Sequence, residues 1–171
     1  MRGWRLLNAL LEKAEFDYVN AADKAFIIAF DTEMKELGYT SGASIGPGYC
    51  WGKHMIIYTK AAVKSKKSYA RIYIRDEDMV LRLYLSDIDK HRDDIEQAPA
   101  YIQEAFIGNF PSCDHCEGKT QCIHQKRYTI CSHPYEICDG KAFWFVAPKE
   151  EQLPAYLQLF SAFYPQKKRR S

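Results

Sequence analysis

Cysteines form the most specific chemical pattern in this sequence. Four of the six cysteines fall between residues 113 and 131, and Cys138 follows closely. Cys113, Cys116, Cys122 and Cys138 together have the spacing C-x2-C-x5-C-x15-C. Thiolates at such spacings are typical ligands of a tetrahedral Zn²⁺ ion, with one pair supplied by a knuckle and the other side closed from a hairpin. The pattern predicts one zinc ion bound by these four residues.

Four residues compete with Cys138 as the fourth ligand: His115, His124, Cys131 and His133. His124 lies close to Cys122 in the sequence, and Cys131 falls at the tip of a predicted hairpin. A site closed by four thiolates has no open position for water or substrate, so this zinc would stabilise the fold rather than catalyse a reaction. If no metal binds, the same residues would be buried or reactive thiols.

Arginines and tyrosines alternate along a second segment, residues 69–85. Two β-rich runs separated by Asp76-Glu77-Asp78 predict a β-hairpin. Strand alternation directs Ile72, Ile74, Leu81, Leu83 and Leu85 to the core, and directs to the opposite face Tyr69, Arg71, Tyr73, Arg75, Arg82 and Tyr84.

The Arg/Tyr face predicts a ligand site formed by Arg71, Tyr73, Arg75, Arg82 and Tyr84. Arginine supplies a planar fork of donors and tyrosine a stacking plane, which suits an anionic or aromatic ligand and also single-stranded nucleic acid. The alternative is that a helix covers the tyrosines while the arginines reach solvent.

No catalytic motif accompanies these two patterns. Gly42-Ala-Ser44-Ile-Gly46 matches the G-x-S-x-G pattern of a nucleophile elbow. A helix stop precedes that segment, however, where an elbow needs a strand. Phosphate-binding glycine motifs are also absent from the sequence. The sequence therefore predicts a binding module rather than an enzyme.

The elements that must position these residues predict an α+β fold. Helical patterns begin at residue 3, after Asn20, after Ser86, after Pro99 and at Pro154, and strand patterns occupy residues 49–59, 69–85, 127–130, 135–138 and 142–146. We expect an antiparallel sheet of about five to seven strands packed with helices, carrying a zinc-bound hairpin insert near the C-terminal half. Residues 1–165 should form one domain, with the knuckle and hairpin at 111–140 and a basic tail at 166–171.

Net charge and the length of the apolar runs indicate which classes of partner the protein is unsuited to bind. The chain has 171 residues with 24 basic and 22 acidic side chains, a net charge of only +2, which argues against a strongly electropositive nucleic-acid binder. No apolar run is long enough to span a membrane, and the first residues lack an export signal. We expect a cytoplasmic protein that does not bind membranes.

Several short motifs resemble a known family. They are C-x2-C, a further Cys, Tyr128-Thr-Ile130, Tyr135, Cys138-x-Gly140 and Phe143-x-Phe145, preceded by Leu81-Arg-Leu-Tyr-Leu85 and Asp89-Lys-His91. Over residues 50–164 this order is similar to small uncharacterised bacterial proteins of the YdhG-like kind that carry an added zinc knuckle. The resemblance implies an α+β sheet domain and no established activity.

The sequence-based hypothesis is a zinc-stabilised module, with a possible regulatory role, that binds an unknown small molecule or a partner protein. The second hypothesis is nucleic-acid binding through Arg71, Arg75 and Arg82, the basic loop Lys60–Lys67 and the tail Lys167–Arg170. Salt-dependent binding of DNA or RNA would distinguish them.

Overall fold

The computed structural model of the chain describes residues 3–64, 67–107 and 125–167. Within these ranges the chain forms five α-helices: α1 (Gly3–Leu11), α2 (Ala21–Glu36), α3 (Arg92–Glu96), α4 (Ala100–Ile107) and α5 (Leu153–Phe163). None of the helices described there is long and apolar enough to cross a membrane.

The strands form one six-stranded antiparallel sheet and a separate two-stranded hairpin. In chain order they are β1 (Tyr39–Thr40), β2 (Gly46–Pro47), β3 (His54–Lys60), β4 (Ala70–Ile74), β5 (Met79–Leu83), β6 (Gln125–Ile130), β7 (His133–Cys138) and β8 (Trp144–Val146). The main sheet has the order β1-β3-β4-β5-β8, with β2 also pairing with β3, whereas β6 and β7 pair with each other. The α+β class and the antiparallel sheet are therefore confirmed.

Helix α2 covers one face of the sheet because its apolar side chains recur at helical spacing. Asn20 caps the helix, its side chain accepting a hydrogen bond of 2.8 Å from the backbone N–H of Asp23. Gly38 follows the helix with φ +88°, a conformation that glycine adopts without strain. Phe30 on the buried stripe meets Tyr58 of β3 with ring centroids 5.1 Å apart.

The main core also includes α4 and α5. Phe106 of α4 packs on Phe143 with ring centroids 4.7 Å apart, and Tyr156 of α5 packs on Phe145 of β8 at 4.9 Å. All four side chains are buried. Burying several large aromatic side chains in this way gives a domain of this size an apolar core that requires no disulfide.

The opposite face of the sheet carries a smaller apolar cluster. Tyr73 of β4 is fully buried, and it contacts Trp51 and Trp144 at centroid distances of 5.9 and 5.3 Å. Met55 and Val80 complete the cluster. The rings of Trp51, from a 3₁₀ turn before β3, and of Trp144, from β8, therefore cover Tyr73.

The β6–β7 hairpin docks on the region around α3 through polar contacts. Asp89 Oδ1 accepts a hydrogen bond of 2.9 Å from the backbone N–H of Thr129. Arg92 Nε donates to the carbonyl of the same residue at 2.8 Å. Glu96 Oε1 accepts from the backbone N–H of Cys131 at 2.6 Å. These bonds, together with the burial of Tyr128, Ile130 and Ile137 in the main core, hold the hairpin in place. The described strands of the hairpin do not pair with the main sheet.

Two local expectations from the sequence are wrong. Ser86 does not cap a helix, because Asp87 adopts φ +55° and a 3₁₀ turn at Ile88–His91 precedes α3. Tyr69 does not join the Arg/Tyr face either. It precedes the first residue of β4 and packs in the main core, with ring centroids 5.0 Å from Tyr39 and from Tyr164.

Candidate functional site

Arg71 and Arg82 lie directly opposite one another on neighbouring strands. The antiparallel register of β4 and β5 pairs Arg71 with Arg82 and pairs Tyr73 with Val80. Side chains at such positions share a face of the sheet. Two guanidinium groups are therefore held on one face by backbone hydrogen bonding, in an arrangement that costs free energy unless their charges are compensated.

Arg82 is the buried member of this pair, with an exposed fraction of 6%. Its Nη2 donates a hydrogen bond of 2.6 Å to the backbone carbonyl of Asp139, and its Nη1 donates one of 3.2 Å to the hydroxyl of Tyr73. Both acceptors are uncharged. The Nε of Arg82 is buried and has no hydrogen-bond partner in the part of the chain that the structure describes. Among the described residues no carboxylate forms an ion pair with Arg82, so a buried positive charge is left without a counter-ion.

Tyr84 lies beneath both arginines. Its ring centroid is 4.4 Å from the guanidinium carbon of Arg82 and 5.3 Å from that of Arg71. Burial raises the pKa of Tyr84, the positive charge of Arg82 opposes that shift, and Tyr73 adds to it. The ring therefore stays a neutral phenol and offers its negative π face to the two cations.

A cleft of about 330 Å³ opens beside these residues. We call it the Arg82 cleft and define it by its lining, which comprises Lys67, Ser68, Arg82, Leu83, Tyr84, Leu85, Ser86, Lys126, Asp139, Ala142, Phe143 and Tyr164. The polar side chains are mostly cations and hydroxyls, and the others are apolar or aromatic. A cleft with this lining can hold a small anion that also carries an apolar group.

Three segments distant in sequence meet at the cleft. Tyr164, after α5, donates a hydrogen bond to the backbone carbonyl of Tyr84. Lys67 lies over the ring of Tyr164, with its Nζ 5.7 Å from the centroid. On the hairpin side, Lys126 Nζ lies 3.3 Å from the carboxylate of Asp139. The carbonyl and the carboxylate of Asp139 thus contact different cations of the cleft.

The predicted ligand residues do not all reach this cleft. Arg82 and Tyr84 line it, Tyr73 is buried next to Arg82, and Arg71 adjoins it through the ring of Tyr84. Arg75 lies away from it, at the turn between β4 and β5. There its Nη2 donates to the carboxylate of Asp78 at 2.5 Å and its Nε forms a second bond to the same group. That bidentate pair compensates the charge of Arg75.

The sequence patterns did not predict ligand contacts for four polar residues of the cleft: Ser68, Ser86, Lys126 and Asp139. Lys67 was predicted to bind only as part of the basic loop Lys60–Lys67. Ser68 Oγ accepts a hydrogen bond of 3.3 Å from Nη2 of Arg71. Strand alternation gives no signal of this contact, because it places residues three positions apart on opposite faces. Lys126 and Asp139 come from the hairpin, and no sequence pattern connects the end of that hairpin to β5.

The predicted zinc ligands are only partly within the described residues. Cys113, Cys116 and Cys122 lie outside them, as does His124. Cys138 ends β7, and the hairpin register places it opposite Gln125. Within residues 3–64, 67–107 and 125–167, no three His, Cys, Asp or Glu side chains are grouped closely enough to hold a metal ion.

A glycine two residues after Cys138 suggests a tight turn that only glycine can form, but Gly140 does not have that role. It lies in a 3₁₀ turn, and its φ is outside the left-handed region. A side chain there would meet only ordinary contacts, 3.7 Å from Cys138 Sγ and 3.8 Å from Trp51. The turn after Cys138 therefore does not depend on glycine.

Comparisons with known proteins give no match. No family model, no curated protein and no solved structure matches this chain.

Proposed function

We propose that this protein is a zinc-stabilised module that binds a small anionic molecule in the Arg82 cleft. One observation carries the proposal: a guanidinium that is 6% exposed lines a cleft, and its hydrogen-bond acceptors among the described residues are all uncharged. A buried charge without a counter-ion costs several kcal/mol. An anion in the cleft would compensate that charge and accept a hydrogen bond from Arg82. Binding would therefore be favoured by relief of the free-energy cost of the uncompensated charge.

The zinc part of the proposal comes from the cysteine spacing and is supported by the hairpin register. Only three peptide units connect Cys122 to Gln125, and Gln125 lies opposite Cys138. Ile130, at the far end of strand β6, is about 17 Å from Gln125 at 3.3 Å per residue. Cys131 follows Ile130 and is therefore also far from Gln125. This geometry favours Cys138 over Cys131 as the fourth ligand. A structural zinc would then secure the end of the hairpin that supplies Lys126 and Asp139 to the cleft.

The size of the cleft and the burial of its residues favour a small molecule over single-stranded nucleic acid. A stacking platform for bases needs exposed aromatic rings along a groove. Tyr73, however, is buried, and Tyr84 is covered by the two arginines. Nucleic-acid binding is therefore the second candidate function, and the experiment below distinguishes it from anion binding.

Isothermal titration calorimetry with a panel of small anions tests the proposal. Benzoate, phenyl phosphate and inorganic phosphate should be compared on the wild type, on Arg82→Met and on Arg75→Met. Arg75→Met is the matched control, because it removes an arginine of the same hairpin that is paired with Asp78 away from the cleft. We expect at least one anion to bind the wild type and the control, and to bind Arg82→Met at least tenfold more weakly.

Failure of every anion to bind would overturn the small-molecule proposal. A 12-nucleotide single strand of DNA or RNA, titrated at two salt concentrations, tests the competing function. Salt-dependent oligonucleotide binding that persists in Arg82→Met would replace the proposal with nucleic-acid binding through the basic loop.

A further inference from the structure

The chemistry of the lining restricts the class of anion. Three cationic side chains, Lys67, Arg82 and Lys126, line the Arg82 cleft together with one carboxylate, Asp139. The described lining residues therefore carry two more positive than negative charges. A carboxylate ligand would bring one negative charge and two oxygens, whereas a phosphate monoester brings about −1.5 to −2 at neutral pH and three acceptor oxygens.

Hydroxyl groups in the cleft supply hydrogen-bond donors beside the cationic side chains. Ser68 Oγ accepts a hydrogen bond of 3.3 Å from Arg71, so its own proton is left to donate. Ser86 lines the same cleft. An arginine fork, lysine point charges and hydroxyl groups together are the donors that protein sites use for phosphate oxygens.

The remainder of the lining is apolar and aromatic. Leu83, Leu85, Ala142, Phe143 and Tyr164 contribute to this part of the cleft. A hydrated inorganic ion would gain nothing from these side chains, whereas a ring or short hydrocarbon attached to the anion would be removed from water there. A cleft of about 330 Å³ has room for such a group beside a phosphate.

We propose that the ligand of the Arg82 cleft is a small phosphate monoester whose ester group is a ring or another apolar group. This inference rests on the proposed function, since it names the class of anion that the same cleft takes. The phosphate contacts Arg82, Lys126 and Lys67, and the ester group packs against Phe143 and Tyr164.

The ionisation of the ligand gives the inference a distinctive pH signature. The second pKa of a phosphate monoester is about 6, so the dianion becomes a monoanion as the pH falls through that value. A carboxylate ligand keeps its charge over the same range, because its pKa is near 4. Affinity for a phosphate monoester should therefore fall severalfold between pH 7.5 and pH 5, and affinity for a carboxylate should not.

Calorimetric titrations of phenyl phosphate, benzoate and inorganic phosphate at pH 7.5 and pH 5 provide the test. We expect phenyl phosphate to bind at least tenfold more tightly than either other anion at pH 7.5, and its advantage over benzoate to shrink severalfold at pH 5. Lys126→Met should weaken phenyl phosphate more than benzoate, and Lys90→Met, which removes a lysine outside the cleft, should alter neither.

The outcomes separate this inference from the proposed function. Equal binding of benzoate and phenyl phosphate, both dependent on Arg82, would overturn the phosphate assignment and leave anion binding intact. Inorganic phosphate binding as tightly as phenyl phosphate would overturn the apolar ester group. If none of the three binds, both the inference and the proposed function fail.

Discussion

Arg82 donates a hydrogen bond of 2.6 Å to the backbone carbonyl of Asp139, the residue that follows the predicted zinc ligand Cys138. The bond spans 57 positions of sequence and joins the central hairpin of the sheet to the end of the β6–β7 hairpin. This bond thus connects an arginine of the predicted ligand site to the residue beside a predicted zinc ligand.

Zinc binding is the first prediction. Purified protein prepared without chelator should carry about one zinc ion per chain, measured by native mass spectrometry. Cys113→Ser or Cys116→Ser should abolish zinc binding and cost several kcal/mol of stability, because the binding free energy of a structural zinc contributes to folding. Cys50→Ser is the matched control, since Cys50 is exposed and belongs to another segment. Metal-free wild-type protein would contradict the prediction.

The identity of the fourth ligand is a separate prediction. Cys138→Ser should lower zinc affinity more than Cys131→Ser or His124→Ala, because Cys138 lies opposite Gln125 and Cys131 lies at the other end of the hairpin. Competition with a chromogenic chelator measures the three affinities. A larger loss in Cys131→Ser or in His124→Ala would identify that residue as the ligand.

Replacing Arg82 with an uncharged side chain should have little effect on folding. Arg82→Met loses two hydrogen bonds from a charged donor, each contributing about 1.5–3 kcal/mol. It also removes a buried charge that has no carboxylate partner among the described residues. These effects oppose one another. Urea denaturation should therefore show a free energy of unfolding within about 1.5 kcal/mol of the wild type. A loss of 3 kcal/mol or more, about the cost of breaking a compensated buried pair, would show that the cleft compensates Arg82 without a ligand.

The docking of the β6–β7 hairpin should depend on an ionised Asp89. Hydrogen bonds from the Thr129 N–H and then from Arg92 lower the pKa of Asp89 below its usual value. A depressed folded pKa contributes stability above the unfolded value of about 4, and this stability is lost as the pH falls through the folded value. The amide shift of Thr129, followed by NMR from pH 6 to pH 2, should titrate below pH 4. Asp89→Asn should abolish that transition, whereas a midpoint above pH 4 would contradict the account.

Alternation along the central hairpin made part of this site predictable. A side-chain period of two residues is sufficient to place Arg71 and Arg82 on one face once β4 and β5 pair, and the register has them opposite. The same rule failed for Tyr69, because that residue precedes the regular pleat and turns into the main core. Periodicity also identified α2, whose Asn20 cap and Gly38 stop are local signals.

Such local patterns do not predict contacts between segments that are distant in the sequence. Asp139 and Lys126 join the cleft because polar bonds from Asp89, Arg92 and Glu96 dock the hairpin beside α3. Each of those bonds spans at least 35 positions of sequence. The φ of +55° at Asp87, which delays α3, lies in the left-handed region, which Asp adopts more readily than most residues but which capping patterns do not predict.

The central claim is that an anion binds beside Arg82, and a crystal structure with tungstate tests it most directly. Tungstate is a tetrahedral dianion that resembles phosphate and scatters X-rays anomalously. Crystals grown without phosphate or sulfate and soaked in tungstate should show an anomalous peak in the Arg82 cleft, with an oxygen within hydrogen-bond distance of the Arg82 guanidinium and another near Lys126. The account is contradicted if the anomalous peaks occur only elsewhere on the surface and the cleft contains no anion.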